Sequence, residues 1–191
     1  MSSGLTGKSV VFLMANEGVE QIELTRPWNA VKEAGGRPLL SAPKNGGVQA
    51  FNHLEKGDWF PVDLVTEDLR VEDFDGVILP GGVANPDQLR LDAPAVRFLR
   101  EFFAAGKPAA VICHGPWSLI EAELVGERSL TSWPSLATDI RNAGGRWLDQ
   151  EVVICTDGPN ALVTSRKPDD LDAFCSTFCQ VFAQGPNRKA A

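Results

Sequence analysis

The sequence predicts a single-domain α/β protein with a doubly wound, mostly parallel sheet flanked by helices and a small hairpin decoration. Three observations carry this. Short β-rich apolar runs alternate with longer helical stretches, the pattern of a parallel sheet wrapped by crossover helices. The first run, residues 9–14, is apolar almost throughout, as expected of a strand covered on both faces. The chain of 191 residues is long enough for one well-buried core and too short for two independent ones.

The elements follow in order. After the first strand, a helix is expected over about residues 19–34, with Ile22, Leu24, Trp28 and Val31 on its buried stripe and Gly35-Gly36 stopping it. Residues 37–41 read as the second strand. Residues 44–64 carry turn signals at Asn45-Gly46-Gly47 and Lys56-Gly57-Asp58 and read as short hairpin-like strands. A core strand at 75–80 ends in Gly81-Gly82. A helix over 93–105 has Pro94 suited to its first turn and Gly106 at its end. The strand 108–112 runs straight into a helix beginning CHGPWSLIEA. Another helix over 134–143, strands at 152–156 and 161–165, and a closing helix over about 168–182 complete the pattern. The domain is expected to span 8–183, with residues 1–7 and 184–191 as flexible termini.

Composition narrows the function. The chain is 43% hydrophobic and 23% charged, ordinary for a soluble globular protein. Its formal charge of −7 and lack of a Lys/Arg cluster argue against a nucleic-acid binder and favour a small or neutral substrate. No apolar run approaches membrane-spanning length, and the first residues lack a secretory h-region, so a cytoplasmic location is expected. The four cysteines, 113, 155, 175 and 179, read as free thiols. With no Cys-x-x-Cys pair and only His53 and His114, no metal site is expected, nor any cofactor.

The most informative stretch is Ala109 to Pro116. A buried strand delivers Cys113 to a sharp turn and a helix begins at once, an arrangement resembling a nucleophile elbow in which the small Gly115 permits tight packing. Amides at the helix start would lower the thiol pKa and could face a developing oxyanion. The other reading, a packed strand-end cysteine, is what most free cysteines are; the adjacent histidine and the elbow favour the nucleophile. Of the two histidines, His114 is the expected base, because a tight turn brings it to the thiol, and His53 reads as a loop residue. Cys155, Cys175 and Cys179 read as core packing; Trp117 and Trp133 could line a pocket or belong to the core or an interface.

These motifs, ANEGVEQIELTRP, FDGVILPGG, AVICHGPWSLIEA and TSWPSLATDIRNAGGRW, in order over nearly the whole chain, resemble the PfpI/ThiJ superfamily. The resemblance implies a flavodoxin-like, glutamine amidotransferase-like fold. It implies Cys113 as nucleophile and His114 as its partner, with Glu20 as the acid that reaches the sulfur from the start of the first helix. The amides of Gly82 and His114 would form the oxyanion hole. Asp87 corresponds to a glutamate that protease-like members contribute to a neighbouring subunit's histidine, although here its side chain is shorter and one extra residue precedes Leu-Arg-Leu. Its other reading is a helix N-cap after Pro86. A homodimer or higher homo-oligomer is implied.

Two functions follow. One is a stress-response hydrolase or lyase in which Cys113 attacks a reactive carbonyl (glyoxalase- or deglycase-like) or a peptide bond. The other is a non-enzymatic redox-sensing stress protein or chaperone using an oxidisable Cys113. A glutamine amidotransferase is set aside because no histidine follows His114, and a dinucleotide binder because no Gly-x-Gly-x-x-Gly follows the first strand.

Overall fold

The structure, a computed structural model, describes residues 4–186. In chain order the strands are β1 (Ser9–Leu13), β2 (Glu17–Glu20), β3 (Arg37–Ala42), β4 (Gly47–Asn52), β5 (Glu55–Pro61), β6 (Leu64–Val65), β7 (Gly76–Leu79), β8 (Ala109–Ile112), β9 (Ser129–Leu130), β10 (Arg146–Trp147), β11 (Val152–Cys155) and β12 (Leu162–Ser165). The α-helices are α1 (Gln21–Glu33), α2 (Ala84–Leu89), α3 (Ala93–Ala104), α4 (Pro116–Glu121), α5 (Ala137–Asn142) and α6 (Leu171–Gln184).

Seven strands form the main sheet in the order β11-β12-β8-β7-β1-β3-β6, parallel except for the β11–β12 pair. Side chains alternate along each strand, so the apolar runs feed two separate cores. Val11, Leu13, Val77, Leu79, Ala109 and Val111 pack under α3, α4 and α5, with Phe98, Phe102 and Phe103 the bulk of that layer. Val10, Phe12, Ile78, Ala110 and Ile112 pack on the opposite face under α1 and α6, against Phe174, Phe178 and Phe182. The continuous apolar strands predicted a sheet covered on both sides, and that is the sheet observed. Among the described residues no helix is long and apolar enough to cross a membrane.

Several expectations need correction. Residues 19 and 20, expected in the first helix, are extended, because β2 pairs with β4 and holds Glu20 beside Phe51. The buried stripe of α1 is Glu23, Leu24, Pro27 and Val31, while Ile22 is exposed. The hairpin turns at His53 and Leu54; Lys56-Gly57-Asp58 lies inside β5, where a bulge against β4 absorbs the glycine. The helix over 84–89 went unread. Residues 4–7 are less loose than expected, since Leu5 is fully buried and donates its N–H to the Ala34 carbonyl at 2.9 Å. At the other end Gln184 closes α6, and Gly185 donates its N–H to the Phe182 carbonyl at 3.2 Å; the expectations for residues 1–3 and 187–191 lie outside the described residues.

Candidate active site

The carboxyl ends of β7 and β8 adjoin in the sheet, and each ends in a turn that builds the site. At the end of β8 the chain enters the left-handed region at Cys113, φ 62°, a conformation that costs a non-glycine residue about 1–3 kcal/mol. Its neighbours hold it there. Cys113 N–H donates to the Ser165 carbonyl at 3.1 Å, and the Cys113 carbonyl accepts from Trp133 N–H at 2.9 Å. The sulfur is therefore aimed by backbone bonds from two other segments.

The β7 turn closes over it. A Cβ on Gly81 would lie 2.6 Å from both Cys113 Cβ and Glu23 Oε2, so only glycine allows this approach. Gly82, at φ +79°, brings its backbone against the Gly18 carbonyl, which a Cβ would meet at 2.2 Å. The turn is clamped by Asn85, whose side chain is fully buried. Its Oδ1 accepts from Ala15 N–H at 2.7 Å, and its Nδ2 donates to the carbonyls of Pro80 and Gly81 at 3.0 and 2.9 Å. The clamped Gly82 N–H and the His114 N–H both point at the Cys113 sulfur.

The carboxyl that reaches the sulfur belongs to Glu23, not Glu20. Glu20 ends β2 and projects to the cavity mouth, where its Oε2 accepts the His53 backbone N–H at 3.1 Å. Glu23 lies one turn further on, where a helical side chain leans back toward the N-terminus and down into the core. It is wholly buried, and its Oε2 accepts the Gly81 N–H at 2.8 Å. Burial raises its pKa to about 8, with the nearby Glu20 adding to the rise, while the Gly81 and Cys113 hydrogen bonds act against it. At neutral pH Glu23 is a neutral acid beside the thiol. A carboxylate on the apolar stripe Leu24–Pro27–Val31 was the signal that could have identified it.

Cys113 is 5% exposed. Burial pushes its thiol up and the Glu23 carboxyl adds to this; the amides of Gly82 and His114 pull it back down. The net direction is upward, against the expected lowering, because burial of the sulfur, together with the Glu23 carboxyl, outweighs the two amides. His114 Nδ1 stands 3.2 Å from Sγ. The ring is stacked on Trp133 at 5.8 Å and meets Trp117 edge-on at 5.3 Å, and burial lowers its pKa to about 4. A neutral imidazole against the thiol is able to accept its proton.

Asp87 does not join this group within the chain. It lies inside α2, exposed, with no hydrogen bond or ion pair to another described residue. It is not a helix cap either: Asp92 caps α3, accepting the Ala95 N–H at 3.0 Å. Among the described residues no carboxylate is hydrogen-bonded to His114, and no group of three or more His, Cys, Asp and Glu side chains is placed to hold a metal ion.

Cys113 and His114 form the floor of a cavity of about 380 Å³, walled by Gly18, Gly82, Trp133 and Pro168. Its mouth is edged by Glu17, Glu20, His53 and Leu54. The model of the DJ-1/PfpI family matches residues 8–180. The chain belongs to the DJ-1/PfpI family. It is 40% identical to a deglycase of Pyrococcus horikoshii over 172 residues, covering 90% of this chain and 98% of the relative. It is likewise 40% identical to general stress protein 18 of Bacillus subtilis over 159 residues, covering 81% and 87%. Among solved structures it resembles a two-domain protein of Anabaena variabilis with DJ-1/ThiJ/PfpI-like and ferritin-like domains. The TM-score is 0.83 at 30% identity, over 96% of this chain and 52% of that one. The chain thus spans about half of that protein's length.

Proposed function

We propose that this member of the DJ-1/PfpI family is a cysteine-dependent enzyme of carbonyl-stress defence, acting on reactive dicarbonyls and their early adducts with amines and thiols. The observation that carries the reading is Cys113 Sγ at the floor of the cavity, touched by the Glu23 carboxyl and His114 Nδ1 and faced by two backbone amides. The deglycase and stress-protein names of the two relatives favour the same class. A cavity of about 380 Å³ suits a small carbonyl or one adducted side chain better than an extended peptide.

For a dicarbonyl such as methylglyoxal, His114 takes the thiol proton and the sulfur attacks the aldehyde carbon. A C–S bond forms, and the carbonyl π pair moves to oxygen between the Gly82 and His114 amides. The proton on that carbon is then moved to the adjacent carbon through an enediol, with Glu23 and His114 as the available acid and base, leaving a thioester. Water cleaves the thioester, the C–S bond breaks, lactate leaves and the thiol is restored. In an amine adduct the C–N bond breaks and the amine departs with a proton. The enzyme acts in the cytoplasm as a homo-oligomer. There Asp87, exposed on a face with Val83 and Leu91, serves the His114 of a neighbouring copy.

The test compares wild type with Cys113→Ala on methylglyoxal under reducing conditions, following substrate loss and lactate. Lactate formation should fall by roughly a thousandfold or more in the variant. Equal rates from the two proteins would end the proposal.

A further inference from the structure

We infer that Trp133 and Trp117, the latter held by Asp139, are positioning residues that clamp the His114 imidazole against the Cys113 sulfur. The geometry creates the need for such a device. His114 Nδ1 stands 3.2 Å from Sγ, and among the described residues that is the ring's one polar contact. A histidine base is ordinarily oriented by a carboxylate on its other nitrogen. Within this chain none is bonded there, and an imidazole free to turn about its side-chain torsions would leave the thiol.

Two indoles confine it. Trp133 lies nearly parallel to the imidazole, at 22° and 5.8 Å between centroids, and Trp117 meets it at 61° and 5.3 Å. One covers the face of the ring and the other closes against it at a steep angle, both at separations favoured by aromatic pairs. Each indole is itself fixed. Trp133 N–H donates to the Cys113 carbonyl at 2.9 Å, and its own carbonyl accepts Leu136 N–H at 3.0 Å and Ser132 Oγ at 2.9 Å. Ser132 Oγ in turn accepts the Trp147 indole N–H at 2.9 Å. Trp117 lies one turn after His114 on α4, and its Nε1–H donates to Asp139 Oδ2 of α5 at 2.9 Å. Trp133 remains 38% exposed at the cavity wall, so filling the core does not account for an indole there.

The clamp also keeps the ring dry. Cys113 is the titratable group in contact with it; Glu17, Glu20 and Glu23 share the cavity, and Asp139 meets the ring only through Trp117. Beside the lining residue Pro168, Arg166 is paired with Asp149 and Asp170, and Lys167 with Asp169. Burial, rather than any of these charges, lowers the His114 pKa to about 4, which leaves a neutral acceptor for the thiol proton. This arrangement is complete within one chain, before a neighbouring copy supplies Asp87.

The effect on turnover rests on the reaction proposed above; the positioning of the ring does not, and the test separates them. His53 and His114 are the two histidines of the chain, so isotope-labelled histidine gives two ring signals, which His53→Gln assigns. In Trp133→Ala, which keeps the backbone bonds at 133, the His114 pKa read by NMR should rise by about one unit or more as water reaches the ring. Trp133→Phe, which keeps an aromatic face, should shift it much less. Asp139 is exposed, so Asp139→Ala tests the clamp even where Trp133→Ala fails to fold. It should give a smaller rise, which Asp139→Asn, still an acceptor for the indole N–H, reverses. An unchanged titration in folded Trp133→Ala and in Asp139→Ala, or equal shifts in Trp133→Ala and Trp133→Phe, overturns the clamp.

A second arm follows methylglyoxal turnover. Trp133→Ala should lose about tenfold to a hundredfold in kcat, with KM changed far less, and Trp133→Phe should recover most of the loss. A loss confined to KM would make Trp133 a substrate contact and overturn the positioning role. Shifted His114 titrations with no turnover in wild type would uphold the clamp and overturn the reaction.

Discussion

The floor and the mouth of the cavity are built on opposite principles. At the floor, Cys113, Glu23, Gly81 and Asn85 are buried, and each is fixed by backbone hydrogen bonds or by contacts that leave no room for a Cβ. At the mouth, His53 and Leu54 stand in solvent at a hairpin tip, and one carboxylate–amide bond ties the tip to the rest of the molecule. The two regions share a stretch of chain: Glu20 serves the mouth and Glu23, three residues later, serves the floor. The reactive groups are thus housed where backbone geometry over-determines them, while the mouth carries side chains that can change without disturbing the sheet.

The contrast predicts its largest break at Asn85. Asn85→Ala strips a buried amide from the Ala15 N–H and from the Pro80 and Gly81 carbonyls. Leaving such groups unpaired costs about 1–3 kcal/mol each, partly relieved by relaxation. Urea unfolding should show a loss of about 3 kcal/mol. The Gly82 amide, no longer clamped, should cost kcat more than KM for methylglyoxal. Asn85→Asp should fare no better, because it sets carboxylate oxygen against two carbonyls. A variant with full stability and kcat would mean that the Gly81-Gly82 turn is held by its glycines alone.

Asn85 also marks where the sequence stopped being legible. The main strands, the long helices and the elbow were readable, because apolar runs and the Cys-His-Gly-Pro turn are local signals. Cys113 beside His114 followed from that turn. The pairing of β2 with β4 was not readable: it depends on partners thirty residues apart, and it shifted the start of α1 to Gln21. Glu20 was expected at the sulfur from resemblance alone; the structure ties it to the His53 N–H and brings Glu23 to the sulfur. Asn85 lies in a six-residue helix with no periodicity to announce it. Asp87 was read from resemblance, and nothing in the single chain brings it to His114.

A smaller effect comes from Glu23→Gln, read through pH. The folded chain holds the Glu23 proton to about pH 8, against an ordinary value of 4.5. Between these values the native state binds more protons than the unfolded one, so stability falls as pH rises. His114 acts oppositely. Its pKa is lowered from 6.5 to about 4, so stability is lost as pH falls through that range. The two slopes oppose below pH 6.5, and from 6.5 to 8 only that of Glu23 remains of the pair. Cys113, pushed upward, keeps its proton across this window. The melting temperature of wild type should decline from pH 6.5 to 8 relative to Glu23→Gln, by a few degrees. Parallel curves would mean that Glu23 is ionised at neutrality, and the acid beside the sulfur would have to be reassigned.

The smallest effect is expected at the mouth. Leu54 is 95% exposed at the tip of the hairpin, so within one chain it buries almost nothing. Leu54→Ser should change the urea unfolding free energy by no more than about 0.5 kcal/mol. The same measurement probes the assembly, because a leucine that a neighbouring copy covers is no longer solvated. Repeated across protein concentrations, a loss above 1 kcal/mol that grows with concentration would place Leu54 in an intersubunit contact. The mouth would then be built by two copies. A loss near zero at every concentration leaves the mouth to one chain, with the hairpin tip free to vary around a fixed floor.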